Sequence, residues 1–496
     1  MRKILKSFPV IVLLTLLIQI FGLLRSVYLS KDLGASFELD AFYLSNIFTI
    51  SIFSIVTSAI STVLIPNMVN DKKDSKNNSN LNYTLIIMLF TILFSAVMML
   101  LLYLFNSNIN SNFSEDIQNR FLVMTAFLII SQFFRIVSTF IMSNLQIKGK
   151  YILSRLPNLL PAIVPVLYIF FVGKVQIVHF VIVLSLSYIG EMFVYFLFDK
   201  SKGLEKIYLP SIADIKNDEK AIKMIKNTLP ILAGSAIFQI QIIITNYLAG
   251  FFGQGLITIL SNTNQIVGIF QGLLIANIFT LVYPQIVQNL NDDLKSGLKK
   301  TEEFISITNI IVILLVWGYA AVGKDLVSLL FYRGNFTSAN ANMVYSFGMV
   351  LMLGLPFSVM RDFFYRIYYA RDNTAIPTKN AFITVFINIF LLLVLRLFIG
   401  EYSLVVSTTL GTLISLINIS IRMRKDKLII NWKNIILWFV VTNIMGLVMF
   451  TSINWFGVST NSFLYNLLVN ISIGLGILGL FVCILLIFFK KKITIK

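Results

Sequence analysis

Cysteine and histidine are almost missing from this sequence: Cys483 and His179 are the single examples of each among 496 residues. One cysteine excludes a disulfide framework, and one histidine beside it leaves too few ligands for a structural zinc or an iron site. Charge is also scarce, at 12% of residues, where a soluble domain carries about a quarter. Within that small set, acidic residues are outnumbered, 22 against 40 basic ones, for a net charge of +18. In a soluble chain this excess would suggest a nucleic-acid partner. In a membrane chain it reports the side on which each loop lies. The sequence also has no P-loop, no soluble domain large enough to carry one, and no nucleophile presented beside a base. An ATP-driven pump and most enzymes are thereby excluded.

What is present is apolar. Hydrophobic residues make up 57% of the chain and the mean hydropathy is +0.86. A helix crosses the hydrocarbon core with about 20 apolar residues. Fourteen such spans are expected, at 8–29, 41–66, 82–105, 121–145, 156–173, 175–198, 231–252, 256–284, 305–323, 343–369, 380–399, 402–421, 434–455 and 463–489. The fifth is interrupted by Pro157, Pro161 and Pro165, which a buried membrane helix tolerates where neighbours satisfy the freed carbonyls. With the N-terminus cytoplasmic, thirty of the forty basic residues fall in the inner segments and six in the outer ones. Fourteen spans with both ends inside therefore satisfy the positive-inside rule along the chain. The expected fold is an all-α polytopic membrane protein with both termini on the cytoplasmic side. Residues 1–24 imitate a secretory signal, but no small-residue cleavage site follows, so a retained first helix is expected.

A polar connector at 199–229 separates two sets of six spans. Its Lys216–Lys226 stretch reads either as a short amphipathic helix on the anionic inner leaflet or as a solvated linker. The sets repeat one another weakly. TVLIPNMVN at 62–70 parallels TLVYPQIVQ at 280–288, and the same offset of 218 lays Ser45 on Thr263 and Asn46 on Asn264. Each unit is a helix, a Gly-containing turn (Gly34, Gly253) and a polar-interrupted helix ending at Pro66 or Pro284. Three regions follow: a six-helix lobe at 1–215, a second at 216–425, and two further helices at 426–496. Paired six-helix halves are a transporter's architecture, with the substrate site between them.

Ionisable groups inside a membrane face a cavity or a partner. Arg25 in span one and Asp40 at the start of span two are expected to pair across the 30–40 turn, as a clamp or as a substrate contact. Arg135 and Glu191, in spans four and six, are expected to pair as a structural element. Arg361 and Asp362 are adjacent in span ten, so they point to different sides of a helix and each needs its own environment. Arg366 and Arg371 are expected to snorkel to the inner surface. In span eight, Ser261-Asn262-Thr263-Asn264-Gln265 cannot all face lipid without unpaired amides. These residues line a water-filled cavity, bind a hydroxyl-rich ligand, or bond neighbouring helices. Gln239, Gln241 and Asn246 extend the polar character into span seven, while His179 is expected to be a packing residue.

Three segments carry a family resemblance: Gly22-Leu23-Leu24-Arg25 with Leu33-Gly34-Ala35 and Asp40-Ala41-Phe42-Tyr43; Leu330-Phe331-Tyr332-Arg333-Gly334-Asn335-Phe336-Thr337; and Tyr369-Ala370-Arg371-Asp372-Asn373-Thr374 with Pro377. In order and spacing the chain resembles the MurJ (MviN) family of the MOP superfamily. That resemblance implies a two-lobed flippase that moves lipid II, an undecaprenyl-diphosphate-linked peptidoglycan precursor, by alternating access, with its tail in a groove of the last two helices. It places Arg25 and Asp40 at cavity positions. Other family positions differ: arginines are usual where this chain has Gln19, around Phe53 and Ser54, and at Gln265, and a carboxylate near Gly268.

The expected binding residues are Arg25, Asp40, Asn46, Asn262, Asn264, Gln265, Arg361 and Asp362. The expected partners are the bilayer and a polyprenyl-diphosphate-linked glycan, with no cofactor, no nucleic acid, and transport coupled to the membrane potential or a monovalent cation. Because an arginine fork suits a diphosphate, the missing arginines leave open another lipid-linked repeat unit, of capsule, teichuronic or O-antigen type. A cation-coupled multidrug exporter would need a cavity carboxylate, for which Asp40, Glu191 and Asp362 are available. A membrane scaffold without transport would have no use for a polar cavity.

Overall fold

The computed structural model describes residues 2–70, 79–109, 111–199, 218–272, 276–371, 373–458, 460 and 462–493. The described residues are almost entirely helical: α1 (Arg2–Leu33), α2 (Phe37–Asn70), α3 (Ser79–Leu104), the short α4 (Asn106–Ile109), α5 (Glu115–Ile147), α6 (Leu160–Val172), α7 (Ile177–Phe198) and α8 (Glu219–Ala249). They continue with α9 (Leu256–Phe270), α10 (Ala276–Asp292), α11 (Leu294–Phe331), α12 (Ser338–Ala370), α13 (Ala375–Ile399), α14 (Ser403–Lys425), α15 (Trp432–Phe456) and α16 (Phe463–Ile493).

Each expected span lies mainly on one of these helices, except the eighth, which is divided between two. Among the described residues, ten stretches are long and apolar enough to cross a membrane, one of them covering α13 and α14 together, and residues 156–172, 235–249 and 256–270 are shorter apolar helices. Large apolar side chains on their outer faces, such as Phe171, Leu397 and Trp455, are more than three-quarters exposed. Such a surface is stable against lipid and not against water. The eighth span, expected as one helix over 256–284, is two described helices, α9 and α10, with 273–275 outside the described residues. Most of the 199–229 connector likewise lies outside them, as do the side chains around Pro66. Residues 219–226 are not a separate amphipathic element; they are the first turns of α8. Asp218 begins that helix, its side chain accepting from Ala221 N–H.

The chain divides into two compact units, Met1–Ser261 and Asn262–Lys496, the boundary falling within α9. In the first unit α2 packs along α5 and α8, and α5 packs along α7. Ile60, Val63, Tyr83, Ile87 and Met224 bury together between α2, α3 and α8, joined by Phe53 from α2 and Ile136 from α5. The buried Tyr83 and Thr228 hydroxyls meet at 2.9 Å. In the second unit α11 packs along α12 and α15, and α14 along α12 and α13. Asn380 ties the last three together: its amide donates to the Tyr365 hydroxyl at 2.8 Å and to Ser415 Oγ at 2.9 Å.

The internal repeat is visible in hydrogen bonds. In the first unit Ser45 of α2 meets Thr125 of α5 at 2.8 Å. In the second unit Thr263, the repeat counterpart of Ser45, donates from α9 to the Val344 carbonyl of α12 at 3.4 Å. The same helix pair is therefore pinned at the same height in both units.

Candidate functional site

Asp40 is wholly buried at the start of α2, and its partner is not Arg25. One carboxylate oxygen accepts from Gly255 N–H at 2.6 Å, and the other from Thr258 N–H at 2.8 Å and the Thr258 hydroxyl at 2.7 Å. The carboxylate thus caps the N-terminus of α9, where free N–H groups and the helix dipole favour an anion. Gly255 reaches this position with φ +85°, against Ala35 of the α1–α2 turn, a conformation and closeness that no Cβ allows. The turn itself uses Gly34 at φ 66°. Arg25 is half-buried on α1 and makes no ion pair among the described residues. The expected Arg25–Asp40 pair is thus replaced by a carboxylate-capped helix start.

The polar run of span eight divides its labour. Asn262 and Thr263 are fully buried, and the hydroxyl of Thr263 bonds α12. Asn264 is exposed into a cavity of about 230 Å³ in the second unit, lined also by Gln271, Ser358, Thr408, Thr409 and Thr412. Gln265 is half-buried and does not line it. Asn46, the repeat counterpart of Asn264, is half-buried on α2 with its Oδ1 unbonded.

Arg361 and Asp362 correct the sequence expectation. Arg361 donates to Asp362 Oδ1 from Nη2 at 2.8 Å and from Nε at 3.1 Å. The four-bond arginine stem wraps around the helix far enough for adjacent residues to pair, although their Cβ atoms diverge. Arg366 does not simply snorkel: its guanidinium lies 3.4 Å over the Phe279 ring of α10 and donates to the Asp362 carbonyl at 3.1 Å. His179 is exposed near the start of α7, so it is no packing residue.

The first unit holds a larger cavity, about 440 Å³, lined by Arg135 and Glu191, the pair expected to be a structural element. It opens between α2, α5 and α7 and the 155–158 segment, the repeat counterparts of the helices around the second unit's cavity. Its lining differs in kind: Arg135, Arg155 and Glu191 are charged, while every residue around the smaller cavity is neutral. Arg135 Nε stands 3.9 Å from Glu191 Oε2, Arg135 Nη1 donates to Gln132 Oε1 at 3.1 Å, and the guanidinium lies 4.6 Å over Tyr188. The Tyr195 hydroxyl lies 2.8 Å from both the Ser154 carbonyl and Asn158 Oδ1, fixing the segment that carries Arg155. The signal in the sequence was the spacing of Arg135 and Glu191 on facing membrane helices; Arg155 carried none, because it reads as a loop residue.

A third feature is apolar. Between α11, α15 and α16 runs a groove of about 320 Å³ lined by Leu315, Leu326, Met449, Ile453, Leu475 and Leu478, among others. Gly446 of α15 lets Trp317 of α11 pack against its backbone, and the Trp317 indole N–H donates to Asn443 at 3.1 Å.

Helices with exposed apolar faces, a repeat of the same helix packing, polar cavities among the helices and an apolar groove along α11, α15 and α16 define a multi-pass membrane protein of transporter build. A family model described as "Lipid II flippase MurJ" matches residues 29–474, nine-tenths of the sequence, so the chain belongs to the MurJ family. Curated relatives include the "Probable lipid II flippase MurJ" of Aquifex aeolicus (strain VF5), 23% identical over 247 residues, covering 49% of this chain and 48% of the relative. The protein of the same name from Vibrio cholerae serotype O1 is 23% identical over 200 residues, covering 40% and 38%. In these alignments the chain spans half or less of each relative's length. Among solved structures, one of lipid II flippase MurJ in an inward closed conformation superposes with a TM-score of 0.80 at 19% identity, over 96% of this chain and 99% of that one. An inward-facing MATE family multidrug resistance transporter of the MOP superfamily gives 0.62 at 12% identity, over 83% and 95%.

Proposed function

We propose that this protein is a flippase for a polyprenyl-diphosphate-linked cell-wall precursor, of which lipid II is the leading candidate, in the bacterial cytoplasmic membrane. The observation that carries this reading is the pairing of a 320 Å³ apolar groove along α11, α15 and α16 with separate polar cavities inside the helical bundles. An amphiphile with a long chain and a hydrophilic head needs both surfaces. A small drug cation needs only a cavity, and it would be repelled from one holding two arginines against one carboxylate. Family membership and the name of the family model support the same reading. The driving force is taken to be the membrane potential or a monovalent cation gradient, since the chain has no nucleotide-binding motif.

A second reading within the class keeps the mechanism and changes the glycan. Phe53 and Ser54, around which the family carries an arginine pair, both line the charged cavity without charge, Phe53 being only 2% exposed. The cationic contacts sit on α5 and the 155–158 segment instead, which suits a head group of different shape on the same diphosphate, as in a capsule or teichuronic-type repeat unit.

The test is depletion of the protein in a cell that depends on it, followed by identification of the lipid-linked intermediate that builds up on the inner leaflet. Build-up of lipid II supports the first reading, and build-up of another polyprenyl-linked glycan supports the second. No build-up of either contradicts both.

A further inference from the structure

We infer that the charged cavity of the first unit is a diphosphate subsite, held by Arg135 and Arg155, with Glu191 occupying Arg135 while the site is empty; this rests on the flippase reading for its biological source of ligand. Gln132 and Glu191 are 2% and 3% exposed, both line the cavity, and both have a side-chain atom without a hydrogen bond: Gln132 Nε2, a donor, and Glu191 Oε2, an acceptor. A buried polar atom without a partner is costly, and two beside one guanidinium mark a place where a ligand is expected.

The geometry then selects the ligand. Arg135 spends one N–H on Gln132 and holds Glu191 only at 3.9 Å, beyond hydrogen-bond reach. The pair is electrostatic and loose, leaving guanidinium donors for something better placed. With the exposed Arg155 also in its lining, the cavity carries two cations and one carboxylate. A surplus positive charge in a low-dielectric site favours an anion and disfavours a monovalent cation. The hydroxyls of Ser54, Thr57 and Thr139 all donate to carbonyls of their own helices, so they turn oxygen lone pairs, not protons, toward other groups. The anion-binding donors are therefore the two guanidiniums and the side-chain amides of Gln132 and Asn158. They meet a diphosphate through charged, forked hydrogen bonds. The neutral cavity at the equivalent place in the second unit, with its amides and threonines, offers no such charge. When the diphosphate takes Arg135, Glu191 is released from it, which links occupancy of the site to the packing of α5 against α7.

The full-length protein, purified in detergent, is titrated with geranylgeranyl diphosphate, inorganic diphosphate and geranylgeraniol, and binding is read by native mass spectrometry. Wild type is expected to bind the prenyl diphosphate and, more weakly, inorganic diphosphate, and to bind the neutral alcohol without dependence on Arg135. Arg135→Gln is expected to weaken diphosphate binding about tenfold, as for the loss of one charged hydrogen-bonded contact. Glu191→Gln is expected to leave it unchanged or tighter, because it removes the competing carboxylate. If Arg135→Gln does not purify as folded protein, Arg135→Lys keeps the charge without the fork and is expected to show an intermediate loss. The inference is overturned if wild type binds no diphosphate, if the Arg135 variant that purifies binds it like wild type, or if Glu191→Gln loses binding as severely as the arginine variant. These outcomes are independent of the depletion experiment: accumulation of a lipid-linked intermediate with unchanged diphosphate binding would leave the flippase reading and remove this site.

Discussion

Asp40 and Thr258 are 218 positions apart and joined by two hydrogen bonds, one to the threonine N–H and one to its hydroxyl, both ending on the same carboxylate oxygen. That separation equals the offset of the internal repeat, so the start of α2 touches its own counterpart at the start of α9. The contact explains why a carboxylate stands at this buried place: it meets the N–H groups that every helix start leaves unbonded.

Asp40→Ala should therefore destabilise the protein strongly. It orphans two buried N–H groups and a hydroxyl, a loss on the order of 3 kcal/mol. Thr258→Val removes one of the three donors and should lose about 1 kcal/mol. Thermal unfolding of the purified variants in one detergent checks the order: wild type, then Thr258→Val, then Asp40→Ala.

Asp218 gives a pH-dependent counterpart at the start of α8. Burial alone would raise its pKa, but Ala221 N–H, the Asn82 amide, the Ser79 hydroxyl and the Lys220 backbone together hold it below the usual carboxylate value. A depressed folded pKa means the stabilisation is present above the unfolded value, near pH 4, and is lost as pH falls through the folded one. Wild type should exceed Asp218→Asn in melting temperature at neutral pH, and the gap should close below about pH 4. A constant gap across that window would contradict the assignment.

Arg366 over Phe279 is a cation–π contact between α12 and α10. Arg366→Met keeps much of the stem and removes the charge, and should lower stability by about 1 kcal/mol. Phe279→Leu should show a similar loss, and the double variant should lose less than the sum of the two. Additive losses would mean that the stacking contributes nothing.

The groove between α11, α15 and α16 can be filled without breaking the fold. A Cβ on Gly474 meets Ile453 and Met449 at ordinary contact distances, 3.4 and 3.7 Å. Gly474→Phe should occupy space that the account gives to the prenyl chain. Displacing two or three methylenes forfeits roughly 2 kcal/mol of binding, so translocation should fall about thirtyfold while melting temperature stays near wild type. Undiminished transport by this variant would remove the groove from the substrate path.

Much of the architecture was legible in the sequence because it rests on local rules. Span lengths and the position of Gly34 follow from the bilayer and the backbone, and among the described residues helices lie where the apolar runs predict, the eighth span being divided in two. Polar function was read less well, because it depends on partners far along the chain. Nothing near Asp40 announces Gly255 and Thr258, and proximity in sequence favoured Arg25 instead. The Arg361–Asp362 pair failed for a different reason: Cβ direction was allowed to stand for the reach of a long, flexible side chain. The charged cavity was half visible. Arg135 and Glu191 were seen as a pair, but only folding of the 151–159 segment onto Tyr195 brings Arg155 beside them. The family's arginine pair on α2 falls around Phe53 and Ser54, which line the same cavity without charge here, so the cationic side chains of this chain had to be found elsewhere on its wall.

The central claim, translocation of a polyprenyl-diphosphate glycan, is tested most directly by reconstitution. Purified protein in proteoliposomes is given lipid II labelled on its head group, with a membrane potential imposed, and the label reaching the opposite leaflet is read by accessibility to a membrane-impermeant reagent. The account predicts movement above protein-free vesicles, diminished in both Gly474→Phe and Arg135→Gln. Equal movement with and without protein, for lipid II and for a capsule-type polyprenyl-diphosphate glycan alike, would contradict it.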